Sequence, residues 1–305
     1  FTEGFGPLME GFDGRVRLDH IDELERQLRA GDVAAFVIET VQGKGCQTPK
    51  TDFFVRAQEL CRKYGTLLIS DEVQTGLGRT GKMFGFQHWN LEPDIITIAK
   101  SLSGGYVPCG AIITRRDIYQ KTFSRMDRCV VHSSTFGRNN LAMACGLAAL
   151  EIIEQENLVE NAAEMGTLLM GKIDQLRAKH SFLKEVRGKG LMIGIEFQEP
   201  QELKLKMAWK FLHKIDKALF AQMVVSQMLS KHRILTQVAG HNLDVIRILP
   251  PLIIGEKEVE MFVNALDDVL SECRKFPGPM WELGNNFVRA ALGSRKSAKA
   301  RPVSV

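Results

Sequence analysis

Residues 67–84 read LLISDEVQTGLGRTGKMF, and this stretch decides the fold of the first half of the chain. A short, mostly apolar run of strand length ends in two acids, Asp71 and Glu72. Such a run is typical of a strand that is buried on both faces of a parallel sheet. The glycines that follow nearly spell a nucleotide-binding loop, but Met83 stands where that motif needs a serine or threonine hydroxyl.

The surrounding sequence extends this pattern into an α/β sheet. Further apolar runs of strand length lie at 33–40, 94–99 and 109–114. A helix is predicted before the central run, because Thr48 can cap it, Pro49 suits its first position and Gly65 can end it. Strand, helix and strand in succession form a βαβ unit, so the first half is predicted to be a mostly parallel α/β domain.

The second half of the chain changes character. From about Asn139 it is rich in good helix formers, and two strand-like runs (191–197 and 245–249) and a last helix from about Glu256 follow. We expect a large domain over 1–150, a smaller α+β domain with linking helices over 151–280, and a flexible tail over 281–305. The Met-rich stretch 207–230 is interpreted as core packing, with a lining for a long apolar substrate as the alternative.

Composition excludes several classes of protein. The 305 residues are 45% hydrophobic and 25% charged with a net charge of +4, so a nucleic-acid partner is not expected. No stretch approaches the roughly 20 uninterrupted apolar residues of a membrane span, so no membrane is expected either. The six cysteines are widely spaced and form no C-x-x-C pair, which predicts neither a metal site nor a disulfide scaffold. They are interpreted as the reduced thiols of a cytoplasmic protein.

Ionisable residues follow three of the predicted strands. Asp71 ends one strand, Glu39 lies near the end of another, and Lys100 comes directly after a third. Ligands bind at the carboxyl ends of parallel strands, so these residues are candidates for one site. Partial burial would favour the neutral amine of Lys100, a nucleophile for Schiff-base chemistry. Taken singly, Asp71 can equally be a loop cap and Lys100 a solvated amine.

Three ordered blocks carry a resemblance to a known family. The segment 67–111, LLISDEVQTGLGRTGKMFGFQHWNLEPDIITIAKSLSGGYVPCGA, resembles the signature of class III pyridoxal-phosphate aminotransferases. The segments VVHSSTFGRNNLAMACGLAALEIIEQENL (130–158) and VIRILPPLIIGEKEV (245–259) are similar to two further family blocks. The resemblance implies that the glycine-rich stretch is the loop beyond a catalytic acid and that its likeness to a nucleotide loop is accidental.

The resemblance also implies a cofactor, pyridoxal 5'-phosphate, and a role for each matching residue. Asp71 would keep the cofactor's ring nitrogen protonated, and Lys100 would hold the cofactor as a Schiff base and transfer protons. Val73 would pack on the ring face and Gln74 would contact the ring hydroxyl. Thr135 would donate to the phosphate across a dimer interface, which implies a homodimer.

The resemblance also implies residues that bind the substrate. They come from the third block (245–259) and from a turn in which this chain differs from the family pattern. Arg247, in R-I-L-P-P-L, would bind a substrate carboxylate, for which a planar guanidinium is well suited. Many relatives have a glutamate in a Q-G-E turn that neutralises this arginine, whereas this chain reads ETVQGKG with Lys44 there. Lys44 and Glu39 complete the predicted substrate site. The alternative for Arg247 is a buried charge paired with an acid.

The predicted function is transfer of an amino group from an amino acid or ω-amine to a keto acid or aldehyde. Racemisation or aminomutation on the same scaffold is one alternative, and an inactive fragment that acts as a dimerising module is another. The resemblance also implies a glycine- and serine-rich turn at a helix N-terminus that grips the cofactor phosphate, and residues 1–32 contain none. We therefore expect the large domain to be incomplete at its N-terminus and this chain to be part of a longer polypeptide.

Overall fold

The computed structural model describes residues 6–7, 9–12, 14–240, 243–275, 278 and 281. It divides into two compact units. The first unit comprises Phe1–Thr40, Thr48–Leu77 and Phe84–Glu151, and the second comprises Val41–Gln47, Gly78–Met83 and Ile152–Val305. The predicted tail over 281–305 lies outside the described residues, apart from Trp281.

The first unit is built on a four-stranded sheet with the order β1-β2-β3-β4. Its strands are β1 (Ala35–Ile38), β2 (Leu67–Asp71), β3 (Ile95–Ile98) and β4 (Ala111–Thr114). The first three strands run parallel and β4 runs antiparallel to β3. The α/β prediction is therefore confirmed. No α-helix separates β3 from its neighbours in the described chain, and two 3₁₀ turns, Gly85–Trp89 and Lys100–Ser103, stand there instead.

Four α-helices belong wholly or mainly to this unit: α1 (Ile21–Leu28), α2 (Phe53–Tyr64), α3 (Arg116–Thr122) and α4 (Asn140–Gln155). The apolar faces of α1 and α2 pack with β1 and β2, and Leu24, Phe54 and Leu68 are almost fully buried there. Since β1 and β2 are fixed by this core, their carboxyl ends are held in register.

The start of α2 differs from the prediction. The helix begins at Phe53 rather than near Thr48, because Asp19 holds the preceding residues outside the helix. Its carboxylate accepts the backbone N–H groups of Lys50 and Thr51 and the hydroxyl of Thr51. The predicted end is confirmed, since Gly65 follows the helix with a left-handed φ of 70°.

A second, antiparallel sheet forms the second unit, with the order β5-β6-β8-β7. Its strands are β5 (Leu183–Lys189), β6 (Met192–Phe197), β7 (Gln237–Val238) and β8 (Val245–Ile248). The helices are α5 (Leu158–Gln175), α6 (Leu203–His213), α7 (Leu219–His232) and α8 (Glu256–Cys273). Among the described helices of both units, none is long and apolar enough to cross a membrane.

The Met-rich stretch mainly supplies core. Trp209, Phe220 and Met223 are buried in one cluster with residues of β6, β8 and α8, as the packing interpretation expected. Strand β6 is buried on both faces. The reason is that the segment Val41–Gln47 packs on its other face, where Val41 and Cys46 are buried with Met192.

Candidate active site

The carboxyl ends of β1, β2 and β3 carry the ionisable residues that the sequence singled out. Ile38, the last residue of β1, pairs with Ser70, so Glu39 follows at the level of Asp71. Asp71 is the last residue of β2 and pairs with Thr97 of β3. Lys100 lies three residues beyond Thr97. The first unit therefore places Glu39, Asp71 and Lys100 after neighbouring strand ends.

The carboxylate of Asp71 is fixed through one of its two oxygens. The backbone N–H of Val73 donates to Oδ1 at 3.0 Å, and the hydroxyl of Thr97 lies 3.4 Å from the same atom. In the described part of the chain no hydrogen bond reaches Oδ2. Asp71 is half-buried. It is thus an oriented carboxylate with one oxygen left to bind a ligand.

Glu72, the neighbouring acid, has a different environment. It is 1% exposed and accepts four hydrogen bonds. Its donors are the hydroxyls of Ser70 (2.9 Å) and Thr75 (2.5 Å) and the backbone N–H groups of Gly85 (2.8 Å) and Phe86 (2.9 Å). Both carboxylate oxygens are occupied by these donors. Glu72 therefore ties the turn after β2 to the start of the 3₁₀ turn at 85–89.

The glycine-rich stretch after Glu72 is not a phosphate-binding strand-loop-helix. Residues 73–84 form turns and bends, and a short 3₁₀ turn follows. Gly85 is required by close packing, since a Cβ there would lie 2.9 Å from Cβ of Thr75 and would also clash with Thr40. The turns and the short 3₁₀ turn, in place of a loop that opens a helix, agree with the interpretation that the likeness to a nucleotide loop is accidental.

The backbone of Lys100 is strained. Its φ of 47° lies in the left-handed region, which a long side chain rarely adopts. Such a conformation costs on the order of 1–3 kcal/mol and is concentrated at functional sites. The prediction of partial burial is wrong: the side chain is exposed, because no described residue covers it beyond the edge of β3. In that part of the chain it makes no ion pair or side-chain hydrogen bond.

The remaining cofactor candidates lie in two turns. Val73 and Gln74 are half-buried in the turn after Asp71. Thr135 is exposed in a turn before α4, whose first residues are capped by Asn139, which accepts the N–H of Ala142 at 2.9 Å. No described contact joins Thr135 to Asp71 or Lys100, so the structure does not bring it together with them.

Arg247 belongs to the second unit, where it occupies one row across the sheet. The strand register places Arg187 of β5, Gly194 of β6, Arg247 of β8 and Gln237 of β7 side by side. Ile246 and Ile248 of β8 are buried in the core, so by strand alternation the row lies on the opposite face.

The segment that contains Lys44 docks on this row. Nε of Arg187 donates to the carbonyl of Gly45 at 2.8 Å, and Nη1 of Arg247 donates to the carbonyl of Gly43. Gly194 permits the approach, because a Cβ there would lie 3.0 Å from the Gly45 oxygen. Lys44 itself is exposed. Lys44 and Arg247 are therefore linked through the backbone of one turn.

Sequence reasoning missed the contribution of Gln237. With its amide oxygen facing the guanidinium, Gln237 accepts hydrogen bonds from Nη2 and from Nε (3.1 Å) of Arg247. Both residues line a cavity of about 540 Å³ whose other walls are mostly apolar. A two-residue edge strand gives almost no sequence signal, so only the strand register reveals this neighbour.

Comparisons with known proteins identify the family of the chain. The model of the family described as aminotransferase class-III matches residues 11–270. The chain is 37% identical to an acetylornithine aminotransferase from Caldanaerobacter subterraneus, over 90% of this chain and 62% of that protein. It is 35% identical to aminotransferase PigE from Serratia, over 89% of this chain and 35% of that protein.

A solved structure gives the same result. The ornithine aminotransferase from Toxoplasma gondii superposes with a TM-score of 0.74 at 33% identity and covers 88% of this chain and 58% of its own. The fold is that of the class III, fold type I aminotransferases. The chain belongs to the class III aminotransferase family. It spans 35–62% of the length of the two curated relatives above.

The donor set of the first unit fits pyridoxal phosphate, the cofactor of this family. The cofactor's ring nitrogen needs an oriented carboxylate, and Asp71 provides one with Oδ2 available within the described structure. Its aldehyde needs an amine, and the Lys100 amine makes no ion pair with any described residue. The exposed Thr135 hydroxyl is a suitable phosphate donor, although no described contact places it beside the other two.

Proposed function

We propose that the protein catalyses transamination between an amino acid or ω-amine and a keto acid or aldehyde. One observation carries the proposal: a strained, exposed lysine follows the strand next to an aspartate whose carboxylate is fixed through one oxygen. This combination suits chemistry on a bound carbonyl cofactor better than it suits packing. Family membership supports the same reaction.

In the proposed mechanism Asp71 would keep the ring nitrogen of pyridoxal phosphate protonated, with Oδ2 as the carboxylate oxygen available for it. The N–H of Val73 keeps Oδ1 in place, so the carboxylate does not have to reorient when ligand binds. When bound, the cofactor supplies a ring that stabilises negative charge on the substrate carbon. Val73 would contact the ring face, and Gln74 would hydrogen-bond the ring hydroxyl.

Lys100 has two proposed tasks. Its Nζ would hold the cofactor covalently in the resting enzyme, and once the incoming amine had released it, Nζ would take a proton from the substrate carbon. The same amine would then deliver this proton to the cofactor carbon rather than back to the substrate carbon, and water would release the keto or aldehyde product. The left-handed backbone conformation of Lys100 fixes the position from which its side chain leaves the chain, just beyond the end of β3.

The experiment that tests the proposed function is a single half-reaction. The cofactor-loaded, full-length protein is given an amine donor without an acceptor, and the keto or aldehyde product is measured against the amount of protein. We expect about one product per active site, with further product only after a keto acid is added. A racemase or aminomutase would release no such product, and an inactive module would release none with any donor.

Arg247 is proposed to bind the carboxylate of the keto acid, with Lys44 and Glu39 completing the substrate site. Arg247→Ala should weaken binding of an acceptor that carries a carboxylate by about 2–5 kcal/mol, because one partner of a desolvated ion pair is lost. Aldehyde acceptors without a carboxylate should be affected much less. The ratio of kcat/KM for the two acceptor classes measures the effect, and an equal loss for both would contradict the role.

We further propose a homodimer in a cytoplasmic protein. Apolar side chains of α4 and β4 are exposed in this chain, and such a patch is typical of an interaction surface. The exposed residues include Ile112 (50%), Ile113 (44%), Leu141 (64%), Met143 (43%) and Leu147 (63%). Thr135 lies in the turn that leads into α4, which fits a phosphate donor supplied across the dimer. Light scattering after size-exclusion chromatography tests the dimer, and a monomer at micromolar concentration would contradict it.

A further inference from the structure

We propose that Gln237 determines the carboxylate selectivity of this protein by occupying the Nε–Nη2 edge of Arg247 until a ligand carboxylate displaces it. The proposal rests on the proposed function, because it assumes that Arg247 binds a carboxylate. The class of ligand is a small organic carboxylate, of which keto acids are one example.

The geometry of the second sheet fixes the contact between the two side chains. Gln237 and Arg247 are register partners on β7 and β8, so their side chains emerge from the same face of the sheet. With the Gln237 amide oriented so that its oxygen, not its NH₂ group, faces the guanidinium, this oxygen accepts from Nη2 and Nε. The third contact, from Nη1 to the carbonyl of Gly43, anchors the other end of the guanidinium. The arginine is thus oriented before any ligand binds.

The guanidinium of Arg247 can bind either of two hydrogen-bond acceptors, the amide oxygen of Gln237 or a ligand carboxylate, and their chemistry decides which it prefers. An amide oxygen carries no formal charge, so its bonds to the guanidinium lack the ion-pair attraction that a carboxylate adds. The Nε–Nη2 edge also matches the two oxygens of a carboxylate, which can bind it in bidentate fashion. A ligand carboxylate therefore displaces Gln237 at small cost, whereas an acidic side chain in its place would resist displacement.

Arg187 provides an internal comparison within the same row of the sheet. It also donates to the docked segment, through the carbonyl of Gly45, but its Nη1 contacts the carboxylates of Glu185 (3.0 Å) and Glu196. Arg187 is thereby fixed as a structural ion pair. The position that borders Arg247 on the edge strand holds a neutral amide instead, and Gln237 is exposed, so it can leave the guanidinium without disturbing the core.

The test measures binding of an unreactive dicarboxylate, glutarate, to the full-length cofactor-loaded protein by titration calorimetry. Gln237→Glu should weaken glutarate binding by at least about 30-fold, because the new carboxylate itself forms a bidentate pair with Arg247. Gln237→Met, of similar length but without the amide, should bind glutarate at least as tightly as the wild type. Gln222→Glu, the same charge change on an exposed position of α7, is the control and should bind glutarate within about threefold of the wild type.

Each outcome decides the proposal. Unchanged affinity in Gln237→Glu overturns it, and so does a loss of more than tenfold in Gln237→Met, since that would make Gln237 a fixed support rather than a displaceable partner. Absence of glutarate binding to the wild type at millimolar concentration also overturns it. If the wild type forms no keto product but Gln237→Glu still loses glutarate affinity, the proposed function fails and the role of Gln237 stands.

Discussion

Lys100→Ala is expected to abolish turnover, with a loss of about 10⁴-fold or more, while the protein still folds. The magnitude follows from removal of a group that both binds the cofactor covalently and transfers the proton, a combination whose loss cannot be compensated by binding alone. Borohydride reduction followed by peptide mass spectrometry measures the covalent link directly. The cofactor should be found on the peptide containing Lys100 in the wild type and on no peptide of the variant.

The control for Lys100→Ala is Lys82→Ala. Lys82 is an exposed lysine in the glycine-rich turn, and its loss should leave both turnover and labelling within about twofold of the wild type. If Lys100→Ala retains turnover within tenfold, or if another lysine is labelled, Lys100 is not the cofactor lysine.

A second variant at the same position tests the origin of the backbone strain. Glycine adopts the left-handed region without the Cβ penalty, which is about 1–2 kcal/mol for other residues. Lys100→Gly should therefore be at least as stable as Lys100→Ala by urea unfolding and equally inactive. A clearly less stable glycine variant would show that the left-handed conformation at φ 47° is not a source of strain.

Much of the first unit was predictable from local sequence. Short apolar runs gave all four strands, and the end of α2 followed from Gly65, because burial and backbone freedom act on neighbouring residues. The start of α2 was not predictable, since it depends on Asp19, which is more than 30 residues away in the sequence. A local capping signal at Thr48 cannot compete with a carboxylate that holds three groups of the next turn.

The residues of the candidate site, too, were predictable from the sequence only in part. Asp71 and Lys100 could be found because each follows an apolar strand, and parallel strands bring their carboxyl ends to one edge. The exposure of Lys100 could not be anticipated, because it depends on what covers the end of β3. Gln237 could not be found either, because its partnership with Arg247 arises from pairing between a two-residue strand and β8. Long-range register leaves no trace in local composition.

Substitutions at the two adjacent acids after β2, Asp71 and Glu72, should separate effects on turnover from effects on stability. Asp71→Asn should lower turnover by about 10²–10⁴-fold, because a neutral amide cannot hold a proton on the ring nitrogen. Its stability should change little, since the amide oxygen of asparagine can still accept the N–H of Val73 in place of Oδ1. Activity assays and urea unfolding of the same preparation measure the two effects together.

Glu72→Gln is the matched variant, with the same loss of charge one residue away. Its NH₂ group must face either the N–H of Gly85 or that of Phe86, so one buried donor loses its acceptor. The cost is about 1–3 kcal/mol of unfolding free energy. At temperatures where this variant is folded, its kcat should remain close to that of the wild type. The opposite pattern, in which Asp71→Asn is destabilised and Glu72→Gln is inactive, would assign the ring nitrogen to Glu72. The hydrogen bonds argue against that exchange, because the two oxygens of Glu72 already serve four donors, whereas Asp71 has an oxygen available among the described residues.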